Sequence, residues 1–184
     1  DYHLAILDQV YHPLIPYSEG DIRNWARAEM HSIVFNLYSA LDSLGYEINL
    51  AYKFRIKPSK IHIHHEHKTW MENCLRCKLD KQNDNLTSSI RCWLGLGWFK
   101  RFHKLRNQIT HKHLPVLLTS ITMGPGGTII LKIPNDPTKS NPKLSDYSYN
   151  LELKQYLVDT RTQVVETIEN IYPLIQHRIP SVLV

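Results

Sequence analysis

The chain contains 184 residues, of which 42% are hydrophobic and 21% are charged. These values are typical of a folded domain and exclude a disordered or fibrous protein. A formal net charge of +5 favours polyanionic partners, nucleic acid first. The length predicts a single domain that extends over residues 1–184.

The first half of the sequence predicts one long helix and two shorter ones. From Asp21 to Phe54, apolar residues recur at steps of three or four, which is the pattern of an amphipathic α-helix. A short helix is predicted before it, from Leu4 to Val10, and another after it, from Thr69 to Leu79. The basic and histidine-rich segment from Lys53 to Thr69 is predicted to be a connector.

The second half predicts two long helices with a β-hairpin between them. Apolar residues at helical spacing run from Leu86 to His113, and Pro115 ends this helix. Two β-branched runs, Val116 to Thr122 and Thr128 to Ile133, flank a Gly-Pro-Gly-Gly sequence that is typical of a hairpin turn. A proline-rich loop then leads to the last long helix, Leu151 to His177. The predicted fold is therefore mainly α, with a β-hairpin inserted before the last long helix.

Two glycines interrupt the helix predicted from Leu86 to His113. Glycine is unfavourable inside a helix because it loses the most backbone freedom on folding. Gly95 and Gly97 leave two alternatives open: a close contact with another helix, for example at a dimer interface, or a local kink. The stripe predicted to face the core comprises Ile90, Leu94, Trp98, Phe102, Leu105 and Ile109.

The end of that predicted helix carries several kinds of polar group on one face. Successive residues are about 100° apart around a helix axis, which places Phe102, Leu105 and Ile109 in the core sector. The opposite side holds Lys100, His103, Arg106, Asn107, Thr110 and His111. Asn107 and His111 are one turn apart and therefore neighbours. One face thus presents a permanent cation, an amide and an imidazole together.

This set of groups suits the cleavage of a phosphodiester bond in RNA. An imidazole takes or gives a proton near neutral pH, and an arginine binds a phosphate whose charge grows in the transition state. The 2′-hydroxyl of RNA is itself a nucleophile, so neither a metal nor a protein nucleophile is needed, and DNA is left intact. A polar surface without a catalytic role is the alternative that the residues leave open.

A resemblance to a known family rests on the hexapeptide Arg-Asn-Gln-Ile-Thr-His at residues 106–111. This hexapeptide resembles the signature of the HEPN superfamily, in which a polar residue follows an arginine and four to six residues separate that arginine from a histidine. Family members are bundles of four or five helices, with the motif near the end of the helix before the last long one. The predicted long helices of this chain occupy matching places, which implies a HEPN-like bundle of four to five helices.

The resemblance also implies a metal-independent endoribonuclease that serves as a toxin or an antiviral defence effector. Arg106 would stabilise the phosphate, His111 would transfer protons, and Asn107 would position one of them. Family members commonly form homodimers in which two motifs face one shared cleft. RNA, a second copy of the chain and an antitoxin or defence-system protein are therefore the expected partners, and no cofactor is expected. Some members have lost activity, so a catalytically inactive dimerising or RNA-binding module is the alternative.

Two residues outside the motif are accessory candidates. His103 lies one turn before Asn107 and widens the polar face. Glu29 lies on the core side of the first long helix, where a carboxylate needs a partner. Arg106 is one candidate partner of Glu29, and a hydrogen-bonded structural role for this carboxylate is the alternative.

Basic residues near the motif predict a surface that contacts RNA. The helix predicted from Leu86 to His113 carries Lys100, Arg101, Lys104 and Lys112, which are candidates for contacts with a phosphate backbone. The connector adds a second basic stretch between Lys53 and Lys68. Charged stretches of this kind are also typical of ordinary solvated surface, and that alternative stays open.

Histidine is unusually frequent, with 11 residues, and its densest cluster lies between residues 62 and 67. Cys74 and Cys77 follow at a CxxC spacing, so that His64 and His67 together with these cysteines form a candidate tetrahedral zinc site. A strong zinc signature needs two separated ligand pairs of standard spacing, whereas these cysteines fall within a predicted helix. A solvated basic connector is the preferred interpretation, and a zinc-stabilised helical protein is the alternative.

Cysteine content and hydropathy indicate in which compartment the protein is expected. Three cysteines are too few and too odd in number for a disulfide framework, which favours a reducing compartment. No apolar run approaches the roughly 18 residues that a transmembrane helix needs, and no signal-peptide pattern opens the sequence. We therefore expect a cytoplasmic protein without a membrane partner.

Overall fold

The computed structural model describes residues 2–5, 18–61, 75–82, 85–111, 114–121, 129–176 and 178. Five helices, two strands and two 3-10 helices lie within these ranges: α1 (Glu19–Ala51), the 3-10 helix Pro58–Lys60, α2 (Leu75–Asp80), α3 (Asn85–Gly95), α4 (Gly97–His111), β1 (Leu118–Ile121), β2 (Ile129–Lys132), the 3-10 helix Leu144–Tyr147 and α5 (Leu153–Gln176). Residues 2–5 are helical as well. The predictions of a mainly α fold and of a β-hairpin before the last long helix are confirmed.

The chain forms two compact units. Unit 1 comprises Asp1–Asn36 and Arg101–Arg161, and unit 2 comprises Leu37–Lys100 and Thr162–Val184. The motif from residue 106 to residue 111 therefore belongs to unit 1, together with the β-hairpin.

The core of unit 1 follows the helical spacing of apolar residues. On α1, Ile22, Ala26 and Met30 are fully or almost fully buried, at steps of four residues. Phe102 and Leu105 of α4 and Leu153 and Leu157 of α5 are likewise inaccessible to solvent. The strands add Leu131, which is also buried. Apolar burial of this kind is the main term that stabilises the helices of a small domain.

The hairpin is antiparallel and is tied to its surroundings by side chains. Its register pairs Leu118 with Lys132 and Ile121 with Ile129. The Nε atom of Arg23, on α1, donates a hydrogen bond of 2.9 Å to the Thr119 hydroxyl on β1. The turn between the strands, residues 122–128, lies outside the described residues.

The proline-rich segment between β2 and α5 is a loop closed by hydrogen bonds. At its base, Ile133 N–H donates to the Leu151 carbonyl over 3.0 Å. Asn135 crosses the loop in the other direction: its backbone N–H donates to the Asp146 carbonyl over 2.7 Å, and its side-chain oxygen accepts from Tyr149 N–H over 3.1 Å. The Asn135 side chain thus satisfies the Tyr149 N–H, a backbone group that a loop leaves without a helix or sheet partner.

In unit 2, α1 ends in a Schellman turn. Phe54 N–H donates to the Asn49 carbonyl, and Lys53 N–H donates to the Leu50 carbonyl, which is the bonding pattern of that motif. Lys53 adopts a left-handed backbone conformation with φ of 52°. Beyond the turn, the buried Asn49 side chain accepts from Ile56 N–H over 3.1 Å and donates to the Ile56 carbonyl over 3.4 Å.

The helix predicted from Leu86 to His113 is present as two helices, α3 and α4. The helix is broken at Leu96, between α3 and α4, where Leu96 N–H donates to the Trp93 carbonyl three residues back. A Cβ added at Gly95 or Gly97 would meet no atom within 4 Å in the described part of the chain. The two glycines therefore mark a local break rather than a close contact with another helix that the structure describes.

The break changes which aromatic side chains are buried. Trp93 and Phe99 are buried, with ring centroids 4.6 Å apart across the break, whereas Trp98 is only half-buried. Trp98 contacts the Phe99 ring edge-on at 5.8 Å, a preferred aromatic geometry. Of the predicted core stripe, Ile90, Phe102 and Leu105 are buried, whereas Trp98 and Ile109 are only half-buried. The side chain of Leu94 lies outside the described residues.

Candidate active site

Helix α4 sets the polar groups of the motif along one half-buried face. Its core side consists of Phe102, Leu105 and Gln108, which are 0%, 0% and 2% exposed. His103 and Asn107, one turn apart on the other side, are half-buried. The regular spacing of residues 102, 105 and 108 anchors the helix, so the polar face has a fixed direction within unit 1.

Three side chains of this face form a hydrogen-bonded chain, which we call the α4 relay: His103, Asn107 and Arg106. Arg106 Nη1 donates to Asn107 Oδ1 over 3.1 Å. Asn107 Nδ2 lies 2.9 Å from His103 Nε2. Side chains of adjacent helical residues do not normally face each other, so the first of these contacts depends on the length of the arginine side chain.

The chemistry of the guanidinium group fixes the direction of the α4 relay. Arginine has only donors, so the Asn107 oxygen must face Arg106 and the Asn107 Nδ2 must face His103. Nδ2 is a donor, and His103 Nε2 therefore accepts with its lone pair. The His103 ring in this arrangement is the neutral tautomer that carries its proton on Nδ1.

A further hydrogen bond joins a side chain of the motif to the backbone of α4. The Thr110 hydroxyl donates to the Arg106 carbonyl over 2.8 Å. A bond from a threonine hydroxyl to the carbonyl four residues earlier is a common arrangement within helices. The partial negative charge at a helix C-terminus favours cations, so this end of α4 accommodates a guanidinium or an imidazolium.

Two of the predicted site residues fall outside what the structure describes. His111 is the last residue of α4, and its side chain lies outside the described residues, as does all of Lys112. The assignment of proton transfer to His111 therefore stays a prediction.

Glu29 has a partner that the sequence did not indicate. Its Oε2 atom lies 2.6 Å from Nδ1 of His3, and the glutamate side chain is 17% exposed. The contact joins the helical residues 2–5 to α1 within unit 1. Of the two alternatives left open by the sequence, the observed contact is the hydrogen-bonded structural one.

The predicted RNA-binding residues differ in exposure. Lys104 is exposed and Arg101 is half-buried on the unit 1 part of α4, and Lys100 is exposed in unit 2. Lys104 contributes to the electrostatic field at Asp136, whose pKa is lowered mainly by hydrogen bonds from the side chain and backbone of Thr138 and further by this lysine. In unit 2, Lys53, Arg55 and Lys57 are exposed.

The candidate zinc ligands can be placed only in part. His64, His67 and Cys74 lie outside the described residues, and Cys77 is buried on α2. In the ranges that the structure describes, no group of three His, Cys, Asp or Glu side chains is arranged to hold a metal ion. The zinc alternative therefore stays a prediction.

None of the described helices has both the length and the apolar character that crossing a bilayer requires.

Sequence reasoning missed two features near the motif. Gln108 is buried, although a polar residue is ordinarily expected on the surface. Its burial was predictable from its spacing of three residues after Leu105, which itself lies three residues after Phe102. The positive charge of Lys104 helps to lower the pKa of Asp136, although the two residues are far apart in the sequence. No local sequence pattern indicates that these two residues lie near each other.

Comparison with known proteins gives no family: no protein-family model, no curated protein and no solved structure matches this chain.

Proposed function

We propose that this protein is a metal-independent endoribonuclease of the HEPN type. The observation that carries the proposal is the α4 relay, a guanidinium bonded to a carboxamide that is bonded in turn to an imidazole. A second histidine, His111, follows Asn107 by one helical turn. A cation for phosphate, an amide and a titratable imidazole are the groups that metal-free RNA cleavage needs.

The proposed reaction is an internal transfer at phosphorus. The 2′-oxygen of RNA forms a bond to the adjacent phosphorus atom, and the bond from phosphorus to the 5′-oxygen of the next nucleotide breaks. A base takes the proton of the 2′-hydroxyl and an acid gives a proton to the leaving 5′-oxygen, so the products are a 2′,3′-cyclic phosphate and a 5′-hydroxyl. Arg106 stabilises the charge that grows on the phosphate oxygens, and His111 transfers protons.

The proposed assembly and setting come from the resemblance of the motif rather than from the described contacts. We expect a HEPN-like bundle, a homodimer in which two motifs share a cleft, and a cytoplasmic role as a toxin or antiviral defence effector with an antitoxin or defence-system partner. A positively charged chain with exposed lysines on α4 and in unit 2 is compatible with RNA as the substrate.

The test is cleavage of a labelled single-stranded RNA in the presence of EDTA. Wild-type protein should produce 2′,3′-cyclic phosphate ends and leave DNA of the same sequence intact. Arg106→Ala should lower the rate roughly 100- to 1,000-fold, and His111→Ala roughly 100- to 10,000-fold. His31→Ala is the matched control, because this histidine is exposed on α1, and it should cleave at the wild-type rate. Intact RNA at every concentration of wild-type protein refutes the proposal.

A catalytically inactive RNA-binding module is the second candidate, and the exposure of Lys104 next to the motif favours it as well. In that case wild-type protein binds single-stranded RNA without cutting it. Lys104→Gln should then lower the slope of log affinity against log salt by about 0.7, the value for one lost phosphate contact on a single strand. An unchanged slope in this variant excludes Lys104 as a phosphate contact.

A further inference from the structure

The α4 relay assigns unequal tasks to the two histidines of this face. The lone pair on His103 Nε2 accepts from Asn107 Nδ2 over 2.9 Å. That nitrogen cannot take a proton from a substrate while it accepts this hydrogen bond. The other ring nitrogen carries the proton in the neutral tautomer, and a neutral N–H is a hydrogen-bond donor rather than a base.

We infer that His103 is a positioning residue, which works as a hydrogen-bond acceptor for Asn107 and does not transfer protons. The effect of His103 on catalysis rests on the proposed function. The arrangement of the three side chains does not depend on that proposal. Asn107 is held at both ends, by Arg106 at its oxygen and by His103 at its nitrogen. His103 therefore acts through the carboxamide on the direction of the Arg106 guanidinium.

The geometry of the helix supports a positioning role. His103 and Asn107 are four residues apart, the separation at which side chains meet on a helix. Arg106 and Asn107 are adjacent, so their contact needs a carboxamide that is already turned toward the guanidinium. All three residues are half-buried. Partial burial makes each of these hydrogen bonds stronger than on an open surface, because fewer water molecules compete for the same groups.

Substitutions at position 103 separate a positioning role from proton transfer. Glutamine carries an oxygen acceptor at a reach similar to that of a histidine Nε2, so it can receive the Asn107 amide, but it cannot transfer a proton at neutral pH. Leucine has a comparable size and no acceptor. We expect His103→Gln to keep kcat within about threefold of wild type, with the same pH dependence of kcat/KM. His103→Leu should lower kcat roughly 10- to 100-fold with little change in KM.

The same inference is tested without any cleavage by the tautomer of His103. At about pH 8.5, where an ordinary histidine is neutral, nitrogen-15 NMR of wild-type protein should show Nδ1 protonated and Nε2 unprotonated. Asn107→Asp replaces the donor with an acceptor-only carboxylate. In that variant His103 Nε2 should carry a proton, whereas the ring of the exposed control His31 should be unchanged.

The two experiments distinguish failure of this inference from failure of the proposed function. Wild-type protein that leaves RNA intact refutes the proposed function, and the tautomer measurement then decides the inference by itself. A proton on Nε2 of His103 in the wild type overturns the inference whether or not RNA is cut. A His103→Gln variant as inactive as His103→Leu also overturns it, because proton transfer by His103 is then required. Before activity is compared, the melting temperatures of His103→Gln and His103→Leu are measured, and each should lie within a few degrees of the wild-type value.

Discussion

The buried side chain of Asn49 is expected to contribute strongly to the stability of unit 2. It replaces the missing backbone partners of Ile56, accepting from the Ile56 N–H over 3.1 Å and donating to the Ile56 carbonyl over 3.4 Å. Asn49 is 9% exposed and Ile56 is 7% exposed. Asn49→Ala therefore leaves two backbone groups without this partner in a place that offers little access to water.

The expected magnitude follows from those two groups. Each buried donor or acceptor that loses its partner costs about 1–3 kcal/mol, and the longer of the two contacts lies at the weak end of hydrogen-bond distances. We expect Asn49→Ala to lower the free energy of unfolding by roughly 2–4 kcal/mol. For a protein of this size the melting temperature should fall by about 5–15 °C.

The assay is urea unfolding followed by circular dichroism, with the melting temperature as a second measurement. Asn36→Ala is the control, because Asn36 lies exposed on the same helix, and its effect should stay within about 0.5 kcal/mol. If Asn49→Ala also stays within about 0.5 kcal/mol of wild type, the side chain of Asn49 does not hold Ile56 and the reasoning is refuted.

Three further predictions concern the backbone at the end of α1 and the response to pH. Lys53→Gly should raise the free energy of unfolding by about 0.5–1 kcal/mol in urea titrations, because a left-handed φ of 52° strains a residue that has a Cβ; a loss of stability would contradict this. The pKa of Asp136 is lowered from 3.8, mainly by its hydrogen bonds with Thr138, so the folded state binds this proton more weakly than the unfolded state. The resulting stability is present above about pH 4 and is lost as the pH falls below it, and Asp136→Asn should lose less stability between about pH 5 and 2 than wild type does. Burial raises the pKa of Tyr156 to about 12 from 10.0, so stability should fall by roughly 2–3 kcal/mol as the pH rises from 10 to 12. Tyr156→Phe should show a smaller fall, and an equal fall in both proteins would exclude this phenol as the cause.

The long helices and the hairpin were predictable because each depends on a local pattern. In α1, apolar residues at helical spacing are buried, among them Ile22, Ala26, Met30, Leu41, Leu44 and Ile48. The hairpin was signalled by two β-branched runs around glycine and proline, and its strands pair in antiparallel register. The break at Leu96 was left open because glycine inside a helical pattern is compatible with either a close contact or a kink, and packing decides between them.

The candidate site was predictable to the extent that it depends on a single helix. The one-turn spacing of His103 and Asn107 follows from helix geometry alone, and the structure brings their side chains within 2.9 Å. The orientation of the Asn107 amide was not predictable, because it depends on where a flexible arginine side chain reaches. The contact between Glu29 and His3 joins residues 26 positions apart, and no helical or strand periodicity relates residues at that separation.

The histidine excess of this chain does not by itself define a functional site, because the partner of each ring decides its role. Three histidines whose side-chain contacts the structure describes have three different partners. His3 lies against the carboxylate of Glu29 and joins the helical residues 2–5 to α1. His31 stacks on the ring of Phe35 on an exposed part of α1. His103 is connected through the amide of Asn107 to the guanidinium of Arg106, a group that binds phosphate well in general. If the proposed function is correct, substitution of His31 should leave RNA cleavage unchanged, whereas loss of the acceptor at position 103 should disturb the alignment of Arg106.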